Sequence, residues 1–170
     1  VNDIQEEDMI KNIIFDMGNV LLSYDPEISL NYYLDKDEDK AVIRRELFEG
    51  EEWEMTDRGE LTDEELFCRV KERVPEHLHG ALNNCVRHWM MCMFPVPGAL
   101  DFCRDAKSEG MKIYVLSNAG TSFYEYFPRF APLLFFDGVV VSCDIHQVKP
   151  EPGIYQYLLD TYRLKAEECF

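Results

Sequence analysis

The chain has 170 residues and a mass of 20.0 kDa, the size of one ordinary domain or of a compact core with a smaller inserted module, and too small for two large independent domains. Hydrophobic residues make up 46% and charged residues 29%, which supplies a core and excludes a disordered chain. The formal net charge of −16 repels phosphate backbones and anionic lipid, so nucleic acid and membrane surfaces are not expected partners, and a site for a small anion must be locally positive or hold a metal ion.

Residues 1–9 are acidic and read as an N-terminal extension before the first strand-like run. No apolar run reaches the roughly 18 residues of a membrane span, and no basic stretch precedes one, so a cytoplasmic protein is expected. Residues 12–16 carry β-branched and aromatic side chains and lead into the turn signal Gly18-Asn19, which predicts a buried strand. Residues 31–48 follow as a helical candidate with Tyr33, Leu34, Val42, Ile43 and Leu47. Thr62 and Glu65 form a capping box before Leu66, Phe67, Val70 and Val74, a helix that stops at Pro75. Leu78, Leu82, Cys85, Val86, Trp89 and Met93 make another helical stripe, and Met90, Met91 and Met93 read as core of the same module.

Pro95 and Pro97-Gly98 mark a return to the main body. A helix over 99–109 ends at Gly110, a strand over 112–116 enters a loop with Gly120, and a strand over 138–142 repeats the pattern. A helix over 153–162 follows, and residues 166–170 begin a fourth strand. Strands alternating with helices predict the α/β class, a Rossmann-like, mostly parallel sheet with right-handed crossovers. The stretch from Ser23 to Met111 is about three times the length of a βαβ unit. It therefore contains a module of its own: residues 23–95 read as a helical cap, and residues 10–22 and 96–170 as the α/β core. The cysteines Cys68, Cys85, Cys92, Cys103, Cys143 and Cys169 form no C-x-x-C pair and read as free thiols.

Ligands bind beyond the carboxyl ends of parallel strands. There the first strand delivers Asp16, the second Ser117 and Asn118, and the loop after the third Lys149. A carboxylate, a hydroxyl with nearby amides, and an ammonium suit phosphoryl transfer: the carboxylate attacks phosphorus while cations and N–H groups neutralise the oxygens.

FDMGNV, VLSNAG and VKPEPGIY, in this order over residues 10–170, resemble three motifs of the haloacid dehalogenase-like hydrolase superfamily, and the helical insertion resembles its cap. The Asp-x-Gly-Asn-Val form is similar to a branch of sugar-phosphate phosphatases that includes glucose-1-phosphatases. The resemblance implies a Mg²⁺-dependent phosphatase of a small phosphorylated metabolite, a sugar phosphate first, working through an aspartyl phosphate under a cap that selects substrate. Asp16 becomes nucleophile and metal ligand, Gly18 a ligand through its backbone carbonyl, Ser117 and Asn118 phosphate-binding residues, and Lys149 a phosphate-binding charge neutraliser.

Two departures follow. The superfamily's phosphatases carry an acid–base Asp two residues after the nucleophile, where this chain has Gly18; Asp25 is the candidate substitute, its other reading being a cap for the helix that starts at Pro26. The fourth motif, a strand with paired acids completing the metal shell, is expected just past Phe170. Its absence predicts a fragment of a longer protein, with weak metal binding and an apolar, unpaired first strand if residues 1–170 are the whole. The alternatives are a 2-haloacid dehalogenase, whose first motif Gly18-Asn19 does not match, and a catalytically inactive binding or regulatory protein. Trp53, Arg58, His88 and Trp89 are candidate cap contacts, whereas the acidic run over 51–66 reads as a solvated surface. His77 and His79 lack Cys or carboxylate companions at helical spacing, so zinc is not expected.

Overall fold

The computed structural model describes residues 10–170; the extension expected over 1–9 lies outside them. In chain order the strands are β1 (Asn12–Phe15), β2 (Leu22–Tyr24), β3 (Met93–Pro95), β4 (Lys112–Ser117) and β5 (Gly138–Val141). The helices are α1 (Glu27–Tyr33), α2 (Asp37–Ile43), α3 (Glu51–Asp57), α4 (Asp63–Val70), α5 (His79–His88), α6 (Ala99–Ser108), α7 (Phe123–Phe130), α8 (Ser142–Ile145) and α9 (Pro152–Tyr162). Strands β1, β4 and β5 form a parallel sheet in that order, with Phe15 level with Val115 and Val115 level with Val139. The fold is α/β, with helices on both faces of the sheet.

Strand alternation explains the layers. Ile13, Phe15, Ile113, Val115 and Val141 point to one face, where they join Cys103 and Ala106 of α6 and Phe123 and Phe127 of α7. Tyr114, Leu116 and Val140 point to the other face, against Ile154 and Leu158 of α9. Phe123 and Phe127 have no exposed surface, and each such ring contributes about 2–3 kcal/mol of burial.

Helices α1 to α5 close on a core of their own, built from Leu30, Ile43, Leu47, Leu66, Val70 and Leu82. An antiparallel ribbon of β2 and β3, with Ser23 opposite Phe94, joins this helical module to the sheet-bearing body. The capping box forms as expected: the Glu65 N–H donates to Thr62 Oγ1 at 3.2 Å, and the Thr62 N–H donates to the Glu65 carboxylate at 2.9 Å.

Three expectations are corrected. The helix over 31–48 is broken, because α1 ends at Tyr33, Leu34 is extended, and Asp37, Glu38 and Asp39 favour the N-terminus of a new helix, which runs on into a π-helical turn over Arg44–Phe48. Met90 and Met93 pack against the sheet-bearing body and not the core of the module, since the ribbon carries them toward Leu22 and Tyr126. The outer edge of β1 is not bare. A 3₁₀ turn over Ala166–Glu168 leads the chain back along it, so that the Phe170 N–H donates to the Asn12 carbonyl at 2.9 Å and the Ile14 N–H donates to the Phe170 carbonyl at 2.8 Å. No helix among the described residues is long and apolar enough to cross a membrane.

Candidate active site

The parallel register gathers three remote segments at one edge of the sheet. Asp16 follows β1, and its Oδ1 lies 2.7 Å from the Nζ of Lys149, in the loop before α9. The lysine side chain is only 18% exposed, whereas that of Asp16 keeps 49% of its surface open to an incoming group. The same Nζ donates to the Leu116 carbonyl at 2.8 Å. A cation this enclosed holds its position through such partners, and removing either leaves charge poorly compensated.

Asn118 fixes the backbone of that lysine: its Nδ2 donates to the Lys149 carbonyl at 3.0 Å, and its Oδ1 accepts from the Lys149 N–H at 2.7 Å. The side chain of this expected phosphate ligand is thus engaged in positioning Lys149. Ser117 closes β4 with 1% exposure, and its Oγ lies 3.4 Å from the Asn118 carbonyl.

Beside this edge opens a cleft of about 200 Å³ between the module and the sheet. Its wall begins at Met17 and Gly18, next to Asp16, and continues through the 118–122 loop. Tyr24, Trp53, Trp89 and Tyr126 give it aromatic sides. Trp53 and Trp89 meet edge to face at 5.7 Å, as do Trp89 and Tyr126 at 5.1 Å. Of the four cap contacts expected, these two tryptophans line the cleft. His88 faces away, with Nδ1 2.9 Å from the Tyr33 hydroxyl. Arg58 bridges Glu54 at 2.8 Å and Glu151 at 2.7 Å outside the wall. Asp25 is exposed and its Oδ1 accepts from the Glu27 N–H at 3.0 Å, a helix-capping contact away from the cleft. His77 stands 3.4 Å from Asp39, and His79 bonds the Val74 carbonyl at 2.9 Å.

Over residues 10–170 the sequence matches the haloacid dehalogenase-like hydrolases. The chain belongs to this family. No curated protein matches it. Among solved structures it is similar to a haloacid dehalogenase (HAD) family enzyme of Bacteroides thetaiotaomicron in complex with magnesium and inorganic phosphate, at TM-score 0.68 and 19% identity, covering 95% of this chain and 83% of that one. A predicted HAD-like family hydrolase of Porphyromonas gingivalis gives TM-score 0.67 at 22% identity, covering 95% and 80%. L-2-haloacid dehalogenase of Xanthobacter autotrophicus, with chloropropionic acid covalently bound, gives TM-score 0.63 at 18% identity, covering 95% and 68%. At these identities the likeness is one of fold.

For this haloacid dehalogenase-like chain, the donors available to a cation are hard oxygens. Among the described residues no three His, Cys, Asp or Glu side chains are grouped to hold a metal. The half-open Asp16 carboxylate and the Gly18 carbonyl are hard oxygen donors of the kind taken by a magnesium ion that keeps several waters.

The residue that sequence reasoning passed over is Asp57, the last residue of α3, which lines the cleft. Burial pushes its carboxyl up to about 7, Glu54 adds to the rise, and the Gly120 N–H opposes it. Its own carbonyl accepts from Ser142 Oγ at 2.5 Å, and that Oγ accepts from the Ala119 N–H at 2.9 Å. Its placement depends on Gly59, which adopts φ +70 and on which a Cβ would stand 2.6 Å from the Cys143 carbonyl oxygen, so glycine lets the end of α3 come down on the core.

Proposed function

We propose that the chain is a Mg²⁺-dependent phosphatase of a small phosphorylated metabolite, acting through an aspartyl phosphate on Asp16. The observation that carries this reading is the 2.7 Å pairing of a half-open Asp16 carboxylate with an enclosed Lys149 ammonium, one residue before the Met17 and Gly18 wall of the cleft. An Asp16 oxygen attacks phosphorus, the bond to the leaving oxygen breaks, and water then attacks phosphorus to release inorganic phosphate and restore the carboxylate. Lys149, held by Asn118, stays beside the phosphoryl oxygens and offsets their charge. When bound at Asp16 and the Gly18 carbonyl, magnesium supplies further neutralisation of the phosphoryl group.

The cleft supports a sugar phosphate as substrate. Asn19, Thr56, Asp57, Asp63, Thr121 and Ser122 offer hydrogen-bond partners for hydroxyls, and the aromatic sides offer faces for a sugar ring. No Lys, Arg or His lines it, which favours an uncharged body behind the phosphate. The helical module above the cleft shields the reaction from water.

The test is turnover of an aryl phosphate and of a sugar 1-phosphate with Mg²⁺ and with chelator, beside Asp16→Asn. Release of phosphate that needs both the metal and Asp16 is expected. Activity indifferent to chelator and substitution overturns the mechanism, and chloride release from 2-chloropropionate would assign dehalogenation instead.

A further inference from the structure

The proposed chemistry leaves one proton without a carrier. An alkoxide expelled from phosphorus must be protonated, and the water that later attacks must lose a proton. Gly18, two residues past the nucleophile, has no side chain to do either. Asp16 is committed to phosphorus, and Asp25 caps α1 away from the cleft. The carboxyl-bearing residues of the cleft wall are Asp57 and Asp63, and no histidine, lysine, arginine or cysteine joins them there. Asp63 begins α4 beside Glu125 of α7. Asp57 instead comes down against the 118–122 loop, which follows Ser117 at the end of β4, and takes a hydrogen bond from the Gly120 N–H.

Resting on the phosphatase reading, we infer that Asp57, delivered by the cap, is the acid–base residue of this site. In the first half-reaction the Asp16 oxygen bonds to phosphorus, the bond from phosphorus to the leaving oxygen breaks, and the carboxylic acid proton of Asp57 passes to that oxygen, giving a neutral alcohol and an Asp57 carboxylate. In the second, water bonds to phosphorus while one of its protons returns to Asp57. The acyl oxygen–phosphorus bond breaks, freeing phosphate and the Asp16 carboxylate.

The surroundings of Asp57 suit this exchange. The groups facing it are Glu54 on its own helix, the hydroxyls of Tyr24 on β2 and Tyr126 on α7, and the thiol of Cys143 on α8; each of the three latter groups is itself pushed up in part by the Asp57 charge. No cation is among these neighbours, and the nearby Arg58 is turned to Glu54 and Glu151. A carboxyl so placed holds its proton to near neutrality and can both give and take it. Its backbone is fixed by Ser142, so the acid is in position only while the cap rests on the core.

The experiment compares the chain with Asp57→Asn and Asp63→Asn on nitrophenyl phosphate, phenyl phosphate and an alkyl phosphate. In Asp57→Asn, kcat/KM for the alkyl phosphate is expected to fall by about 10²–10⁴-fold, that for phenyl phosphate less, and that for nitrophenyl phosphate least, with a burst of nitrophenol as the phosphoenzyme accumulates. Formate added to Asp57→Ala is expected to restore part of the alkyl phosphate activity, which a folding defect would not allow. Carboxyl NMR of the unsubstituted chain is expected to show Asp57 titrating near neutrality whether or not turnover is measurable. An equal loss of kcat/KM on all three esters, no loss on the alkyl ester, or an Asp57 ionised throughout the mildly acidic range overturns the assignment of Asp57 while leaving the phosphatase reading intact. Absence of metal-dependent phosphate release from the unsubstituted chain overturns both.

Discussion

Arg58 of the cap donates to Glu151, at the start of α9 in the core, at 2.7 Å, and also to Glu54 on its own helix at 2.8 Å. Beside it, His146 Nδ1 lies 2.8 Å from the Arg58 carbonyl; since a carbonyl only accepts, the proton is on that nitrogen. The bridge and the Ser142 contact to Asp57 fasten one end of α3 to the starts of α8 and α9. Arg58→Ala is expected to leave global stability nearly unchanged, as loss of a solvent-screened ion pair does. It should nevertheless speed amide hydrogen exchange over residues 57–61 and raise KM more than it lowers kcat. Unchanged exchange in that segment would show that the pair does not hold the cap.

Asp57 makes stability depend on pH with a definite sign. Its folded pKa of about 7 lies above the ordinary 3.8, so the native chain keeps a proton that the unfolded chain releases. Stability from this group is complete below about pH 4 and is lost as pH rises toward about 7. Asp57→Asn cannot ionise and escapes that loss. The variant is expected to melt higher than the parent at about pH 8, by the equivalent of about 1–3 kcal/mol, and to match it at about pH 4. A difference of the same size at both pH values would remove burial of the charge as its cause.

Asn118 is expected to matter as a support for Lys149. Its amide makes two hydrogen bonds to the backbone of that residue, so Asn118→Ala should destabilise by about 1–3 kcal/mol through unpaired groups. Because the lysine loop is then less fixed, turnover should fall by more than the stability loss explains, at temperatures where the variant is fully folded. Lys149→Met removes the ammonium itself and is expected to reduce kcat by about 10²–10³-fold. If Asn118→Ala keeps parental kcat when folded, the two hydrogen bonds serve only the fold.

What could be read from the sequence follows from how local each signal is. Strands β1, β4 and β5 carry unbroken apolar runs, α6 ends at a glycine, and Thr62 with Glu65 marks the start of α4; none of these needs a distant partner. The order of Asp16 and Ser117 at strand ends and of Lys149 in a later loop was legible for the same reason. The ribbon was not, because β2 and β3 have three residues each and take their shape from pairing Ser23 with Phe94 across the whole cap. Nor was α7, whose interior Pro128 argues against a helix, although Phe123 and Phe127 bury it against the sheet. Asp57 lay within an acidic run whose pattern is that of a solvated face; only docking of α3 onto the 118–122 loop separates it from the acids around it.

That docking gives the sharpest test of the cap's closed position. Gly59 combines φ +70 with an approach to Cys143 that leaves no room for a Cβ, and the atoms met are backbone, which cannot swing aside. Gly59→Ala is therefore expected to cost about 1–3 kcal/mol in strain at a left-handed position, or to lift the end of α3 off the core and avoid part of that cost. The two outcomes differ in a measurable way. If α3 lifts, Asp57 regains solvent and its proton affinity returns toward the ordinary value, so the pH-dependent gain from Asp57→Asn should shrink in the Gly59→Ala background. If the strain is simply borne, the two substitutions should add at every pH. A double-mutant cycle of melting temperatures at about pH 4 and pH 8 separates the cases. We expect the non-additive result, because the strained backbone lies only two residues from the buried carboxyl.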